Sequence, residues 1–113
     1  MYLVRLAGHE VMTMGSMNFI EREVEGLRPD VALVGAAPSH LEIHEYTKRL
    51  MQALGFPAVV IPTHADNFRV PYGSPTAYRT EWVESFLEEV RVASPDSRRI
   101  TPKHLEAFSL PVR

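Results

Sequence analysis

The chain has 113 residues, a formal net charge of −2 and no cysteine. With 45% hydrophobic and 23% charged residues, it holds too much apolar material for general disorder and enough for one modest core. The missing cysteine excludes disulfides, thiolate metal sites and cysteine nucleophiles. The near-neutral charge offers no field for DNA or RNA, and no apolar run approaches the ~18 residues of a membrane span. The start, Met1 to Glu10, is too short and too polar for a signal sequence. The expectation is a single cytoplasmic domain over residues 1–113, with no nucleic acid and no membrane as partner.

Tyr2 to Leu6 alternates like a half-buried strand, with Tyr2, Val4 and Leu6 on one face. Ala7-Gly8-His9 makes a turn and Glu10 to Met14 a second strand, so the pair predicts a hairpin. Gly15-Ser16 breaks the pattern. Ser16 suits the cap of a short helix with Phe19, Ile20, Val24 and Leu27 as its apolar positions, stopped at Arg28-Pro29-Asp30. Val31 to Ala37 is a continuous apolar run, the pattern of a strand buried on both faces. Ser39 and Glu42 then form a capping box for a helix running to about Leu54, with a Glu45–Arg49 pair one turn apart. Gly55 suits the residue past its end, and Pro57 prevents continuation. Ala58 to Pro62 is a second buried strand, parallel to the first through a β-α-β unit. A polar loop of thirteen residues begins at Thr63, and loops of that length are often functional. A last helix spans about Ala77 to Ala93, with Trp82, Val83, Phe86 and Val90 inward. One or two short strands are expected around Pro102. The result is an α/β layered architecture with a mixed sheet.

The sharpest local feature is Thr63 to Phe68, directly after a buried strand, where α/β folds gather ligands. His64 and Asp66 are one residue apart, so in extended backbone both face one side. Imidazole nitrogen with carboxylate oxygen suits zinc, iron or manganese. The same residues also suit a strand-end turn built on Asp66 and Asn67. His40 and His44 lie four apart on the predicted helix and share a face, which is either a solvated face or the rim of a site. Asn18 and Glu21, after the Gly15-Ser16 turn, and Asn67 are further candidates for a pocket rim. No G-x-S-x-G elbow surrounds Ser16.

The stretch from Gly15 to Ala37, the following helix, and Phe56 to Phe68 together resemble the C-terminal half of metallo-β-lactamase-fold hydrolases, in the lactonase-like branch. The resemblance covers roughly residues 2 to 72 and rests on a strand of the form "PDVALV" followed by "PTH-x-D-x-F". It implies half of an αββα sandwich, with helices on one face of the sheet. It implies that His64 is the last metal-ligand histidine, that Asp66 is a neighbouring or substrate-side group, and that Ser39 to His44 lies near the mouth. The chain departs from that pattern twice. The H-x-H-x-D-H cluster of the first half is absent from the sequence. The place of the bridging aspartate reads Met14-Gly15-Ser16, leaving only Asn18 or Glu21 to substitute.

One histidine and one carboxylate fall short of the three protein ligands typical of a catalytic zinc. A divalent transition metal is therefore expected only if a partner completes the site, and otherwise no cofactor. A lone half also exposes the inner face of its sheet, including the hairpin, and a large exposed apolar face marks an interaction surface. The expected partner is a second copy, giving a two-fold homodimer, or a complementary N-terminal half on another chain or upstream. Three functions follow as expectations: the second half of a metal-dependent hydrolase unable to act alone, a non-catalytic module that dimerises through its sheet, or a small doubly wound domain binding a ligand at its strand ends.

Overall fold

The computed structural model describes residues 1–110. Five strands form one sheet in the order β1 (Tyr2–Leu6), β2 (His9–Thr13), β3 (Val31–Gly35), β4 (Val59–Thr63) and β5 (Arg98–Arg99). β1 and β2 are antiparallel, and every later pairing is parallel. Three helices connect the parallel strands: α1 (Glu21–Val24), α2 (Tyr46–Ala53) and α3 (Thr80–Ala93). This is the α/β layered arrangement with a mixed sheet that the sequence predicts. No helix among the described residues is long and apolar enough to cross a membrane.

The hairpin turns through Ala7 and Gly8, at φ 50° and 79°. Two central residues with positive φ match the twist of the strands they join. β2 starts one residue earlier than expected, because Leu6 pairs with His9. Asp30 ties the next crossover to the hairpin. Its carboxylate accepts from the Glu10 N–H at 2.7 Å, and its own N–H donates to the Glu10 carbonyl at 2.8 Å.

All three helices pack on one face of the sheet. Val24 of α1, Leu50 and Met51 of α2, and Phe86 and Val90 of α3 share a cluster with Met12, Ala32, Val34 and Val60 of the strands. The alternation of strand residues puts Val11, Val31, Leu33, Val59 and Ile61 on the other face, where Ile100 and Leu110 of the tail cover them. Among the described residues, the tail does not cover the hairpin edge. There Tyr2, Val4 and Leu6 are 74%, 48% and 71% exposed.

Three local expectations are corrected. The helix from Ser39 is two pieces: a 3₁₀ turn over Pro38–Glu42 and then α2, separated by Glu45 at φ 44°. No side-chain capping bond forms at either start, so the Ser39–Glu42 box is absent. Likewise Ser16 does not cap α1. Its hydroxyl accepts from the Asn18 N–H at 3.4 Å, which makes a local turn, and α1 starts later at Glu21. Finally, the tail strand precedes Pro102 rather than surrounding it, and it forms by parallel pairing of Arg98 and Arg99 with Val59 and Val60.

The end of α2 follows expectation. Gly55 takes φ 69°, the Phe56 N–H donates to the Met51 carbonyl at 2.9 Å, and the Gly55 N–H donates to that of Gln52 at 3.0 Å. These two bonds close the last turn as a Schellman motif. In α3, Val83, Phe86 and Val90 point inward as predicted. Trp82 is only half-buried and carries the Arg79 guanidinium 4.7 Å from its ring centre.

Candidate functional site at the strand ends

The parallel register lines up the C-terminal ends of three strands. Thr13 pairs with Leu33, Leu33 with Ile61, and Gly35 with Thr63. Beyond these pairs the Met14 N–H donates to the Leu33 carbonyl and the Ala36 N–H to the Thr63 carbonyl, at 3.1 and 2.8 Å. Gly15-Ser16, Ala36-Ala37 and His64 therefore follow three adjacent strands at one edge of the sheet, the edge where open parallel sheets hold ligands.

His64 leaves β4 with φ 57°. This left-handed conformation is uncommon for a residue with a side chain, although histidine adopts it more often than most. It breaks the strand immediately after Thr63. The His64 Nδ1 lies 3.9 Å from Asp66 Oδ1, and both side chains are substantially solvent-accessible. The H-x-D spacing thus brings its two groups together, though through a turn rather than extended backbone.

Asn67 does something else. Its side-chain oxygen accepts from the Arg69 N–H at 3.2 Å and so shapes the loop. The loop is fastened at both ends of this segment: the Asn67 N–H donates to the Ala77 carbonyl and the Arg79 N–H to that of Ala65, each at 2.8 Å.

The other candidates are dispersed. Glu21 is held by Arg49, whose Nη2 donates to Oε2 at 2.8 Å, with the Arg49 guanidinium also over the Phe19 ring. That contact takes Arg49 away from the expected Glu45, which instead meets Lys48 at 3.3 Å. The Asn18 backbone joins the Ser16 turn. His44 is exposed, 3.5 Å from Glu45.

His40 is 3% exposed and separated from His44 by the break before α2. It therefore shares no helical face with His44. Its Nδ1 donates to the Ala37 carbonyl at 2.7 Å, and Nε2 meets Glu89 Oε2 at 2.7 Å. Thr47 donates to the other oxygen of Glu89 at 3.0 Å. The ring packs between Tyr46 and Phe86. This is a buried polar strut between α3 and the segment that follows β3. Burial, and then the negative charge of Glu89, push the Tyr46 hydroxyl well above its ordinary value of 10.0.

Glu89 and Thr47 escaped sequence reasoning, because Glu89 meets His40 across 49 residues and Thr47 across 42. Thr63 escaped as well. Its hydroxyl oxygen is buried with no hydrogen-bond partner among the described residues. Among those residues, no three histidine, aspartate or glutamate side chains converge on a common metal position. No family model matches the chain, and neither curated proteins nor solved structures show significant similarity to it.

Proposed function

We propose that the chain is the C-terminal half of a metallo-β-lactamase-like, metal-dependent hydrolase, which requires a second half to hydrolyse its substrate. The observation that carries this reading is the placement of His64. It ends an inner parallel strand, turns sharply out of the sheet and pairs with a carboxylate two residues on. The sheet supports the reading in a second way. Helices cover one face, while the hairpin part of the other stays apolar and open, as half of a two-sheet sandwich requires.

The donor set fits one part of a divalent transition-metal site. His64 would supply the imidazole ligand, and Asp66 would orient the ring through Nδ1 or contribute an oxygen. When bound, such an ion supplies a nucleophilic water at neutral pH. The remaining ligands would come from the other half. The chemistry the ion would supply is attack of that water on an acyl carbon, with the bond to the leaving oxygen broken and a water proton taken up by that oxygen. His64 and Asp66 hold position at the sheet edge, where the fastened loop beyond them fixes the turn that carries both.

A second reading is a non-catalytic module that homodimerises through its sheet. It is favoured by the exposure of Tyr2, Val4 and Leu6 on one continuous strand face. Light scattering on a size-exclusion peak, with elemental analysis of the same peak, separates the two. A dimer holding a transition metal that is lost on His64→Ala supports a rebuilt hydrolase site. A metal-free dimer supports the silent module. A metal-free monomer that also fails to bind metal with any complementary half sinks the hydrolase reading.

A further inference from the structure

Asp66 has a second neighbourhood besides His64. It lines a cavity of about 690 Å³ between the loop after β4 and the tail after β5. That volume lies within the range of small-molecule sites. Its aromatic lining is Tyr72 and Tyr78, and its cationic side comes from Lys103, beside His104. The two walls are built independently and then joined. The loop is pinned where Asp66 bridges to Tyr78 and where Asn67 and Ala77 exchange a backbone bond. The tail is fastened to it by the hydrogen bond between the Tyr72 hydroxyl and His104 Nε2, with the two ring centres 5.6 Å apart.

We propose that this cavity is the substrate pocket of the strand-end site, and that it takes a small ester or lactone bearing a planar apolar ring and an anionic group. The words ester and lactone rest on the hydrolase reading of His64; the ring and the anion rest on the cavity alone. Tyr72 and Tyr78, 83% and 50% exposed, give the lining two aromatic side chains against which a flat apolar ring packs better than an extended polar chain. Lys103 is a cation whose only partner among the described residues is Glu106, at 4.0 Å and on the surface, so its ammonium is open to a ligand. Asp66 repels a second anion. The charges therefore set the direction of binding, with the anionic group toward Lys103 and the acyl group toward Asp66 and His64.

The test uses the whole chain without metal, with phenylacetate as probe and phenylacetamide as its uncharged counterpart. Two-dimensional NMR is expected to show saturable shifts at Tyr72, Tyr78 and Lys103, with a Kd for phenylacetate on the order of 1 mM. Phenylacetamide should bind about tenfold more weakly, an amount typical of one charge-assisted contact. Lys103→Gln, at an exposed position, should leave the fold intact and erase the difference between the probes. Tyr78→Ala should weaken both probes together. Absence of saturable shifts, equal affinity of the native chain for both probes, or shifts confined to residues outside the cavity would overturn the pocket. His64→Ala separates the two ideas. A variant that loses metal but keeps phenylacetate leaves the pocket standing, whereas a chain that binds metal through His64 but not phenylacetate keeps the hydrolase reading without it.

Discussion

His40 Nε2 and Glu89 Oε2 meet at 2.7 Å across 49 residues of sequence. The contact joins the middle of α3 to the 3₁₀ turn that follows β3. With Nδ1 donating to the Ala37 carbonyl, Nε2 faces a carboxylate, and a proton held between the two atoms completes the contact. Removing the carboxylate leaves a buried ring nitrogen without its partner. Glu89→Ala should destabilise the chain by about 2 kcal/mol, the scale of a charged hydrogen bond. Glu89→Gln can still donate to Nε2 and should cost less than half of that loss. Urea unfolding of the two variants checks the order; equal losses would mean that the contact has no polar specificity.

Tyr46 gives a pH signature. Its hydroxyl is raised above the ordinary value of 10.0 by burial first and by Glu89 second. The folded chain therefore keeps this proton at pH values where the unfolded chain loses it. The contribution is fully present below the unfolded value and is lost as the pH rises through that value toward the higher folded one. Stability should fall on the alkaline side. Tyr46→Phe removes the hydrogen bond to the Gly35 carbonyl and should cost about 1 kcal/mol at neutral pH. In return, its alkaline decline should be shallower. Thermal melts between neutral pH and about pH 11, around the ordinary tyrosine range, compare the two slopes.

At His64 the backbone, rather than the ring, sets the stability of substitutions. A φ of 57° is easier for glycine than for alanine. His64→Gly should be more stable than His64→Ala by about 1 kcal/mol. Both should fold, since the side chain is substantially exposed. The reverse order in chemical denaturation would show that the turn relaxes once the imidazole is gone.

The hairpin face separates stability from association. Val4→Glu and Leu6→Lys place opposite charges at exposed positions and should change monomer stability by less than about 0.5 kcal/mol. They should abolish self-association measured by light scattering. A dimer that survives both changes would place its interface elsewhere on the molecule.

Much of the scaffold was legible because it depends on local pattern. The runs Val31 to Gly35 and Val59 to Pro62 are apolar throughout, as strands covered on both sides must be, and Gly55 closes α2 where its positive φ is needed. The helix start at Ser39 was misread because its signal was local and its determinant was not. His40 turns inward to Glu89, and the chain breaks at Glu45 before helix resumes. β5 was misplaced for the same reason: two arginines pair with β4 through backbone register alone. In the site, the nearness of His64 and Asp66 followed from their spacing, while Glu21 was claimed by an arginine 28 residues away. Spacing could foresee the first relation and not the second.

The tail gives the open sheet face two unequal halves. Ile100 and Leu110 already occupy the ground above Val31, Val59 and Ile61, while nothing among the described residues shields Tyr2, Val4 and Leu6. Any incoming sheet meets an intramolecular competitor on one side and bare strand on the other. Contact at the hairpin would displace nothing among the described residues, whereas contact over β3 and β4 would have to displace the tail. For the partner proposed above, affinity would depend on how firmly Ile100 and Leu110 hold this ground, and removing them should strengthen association without altering a residue of the hairpin face.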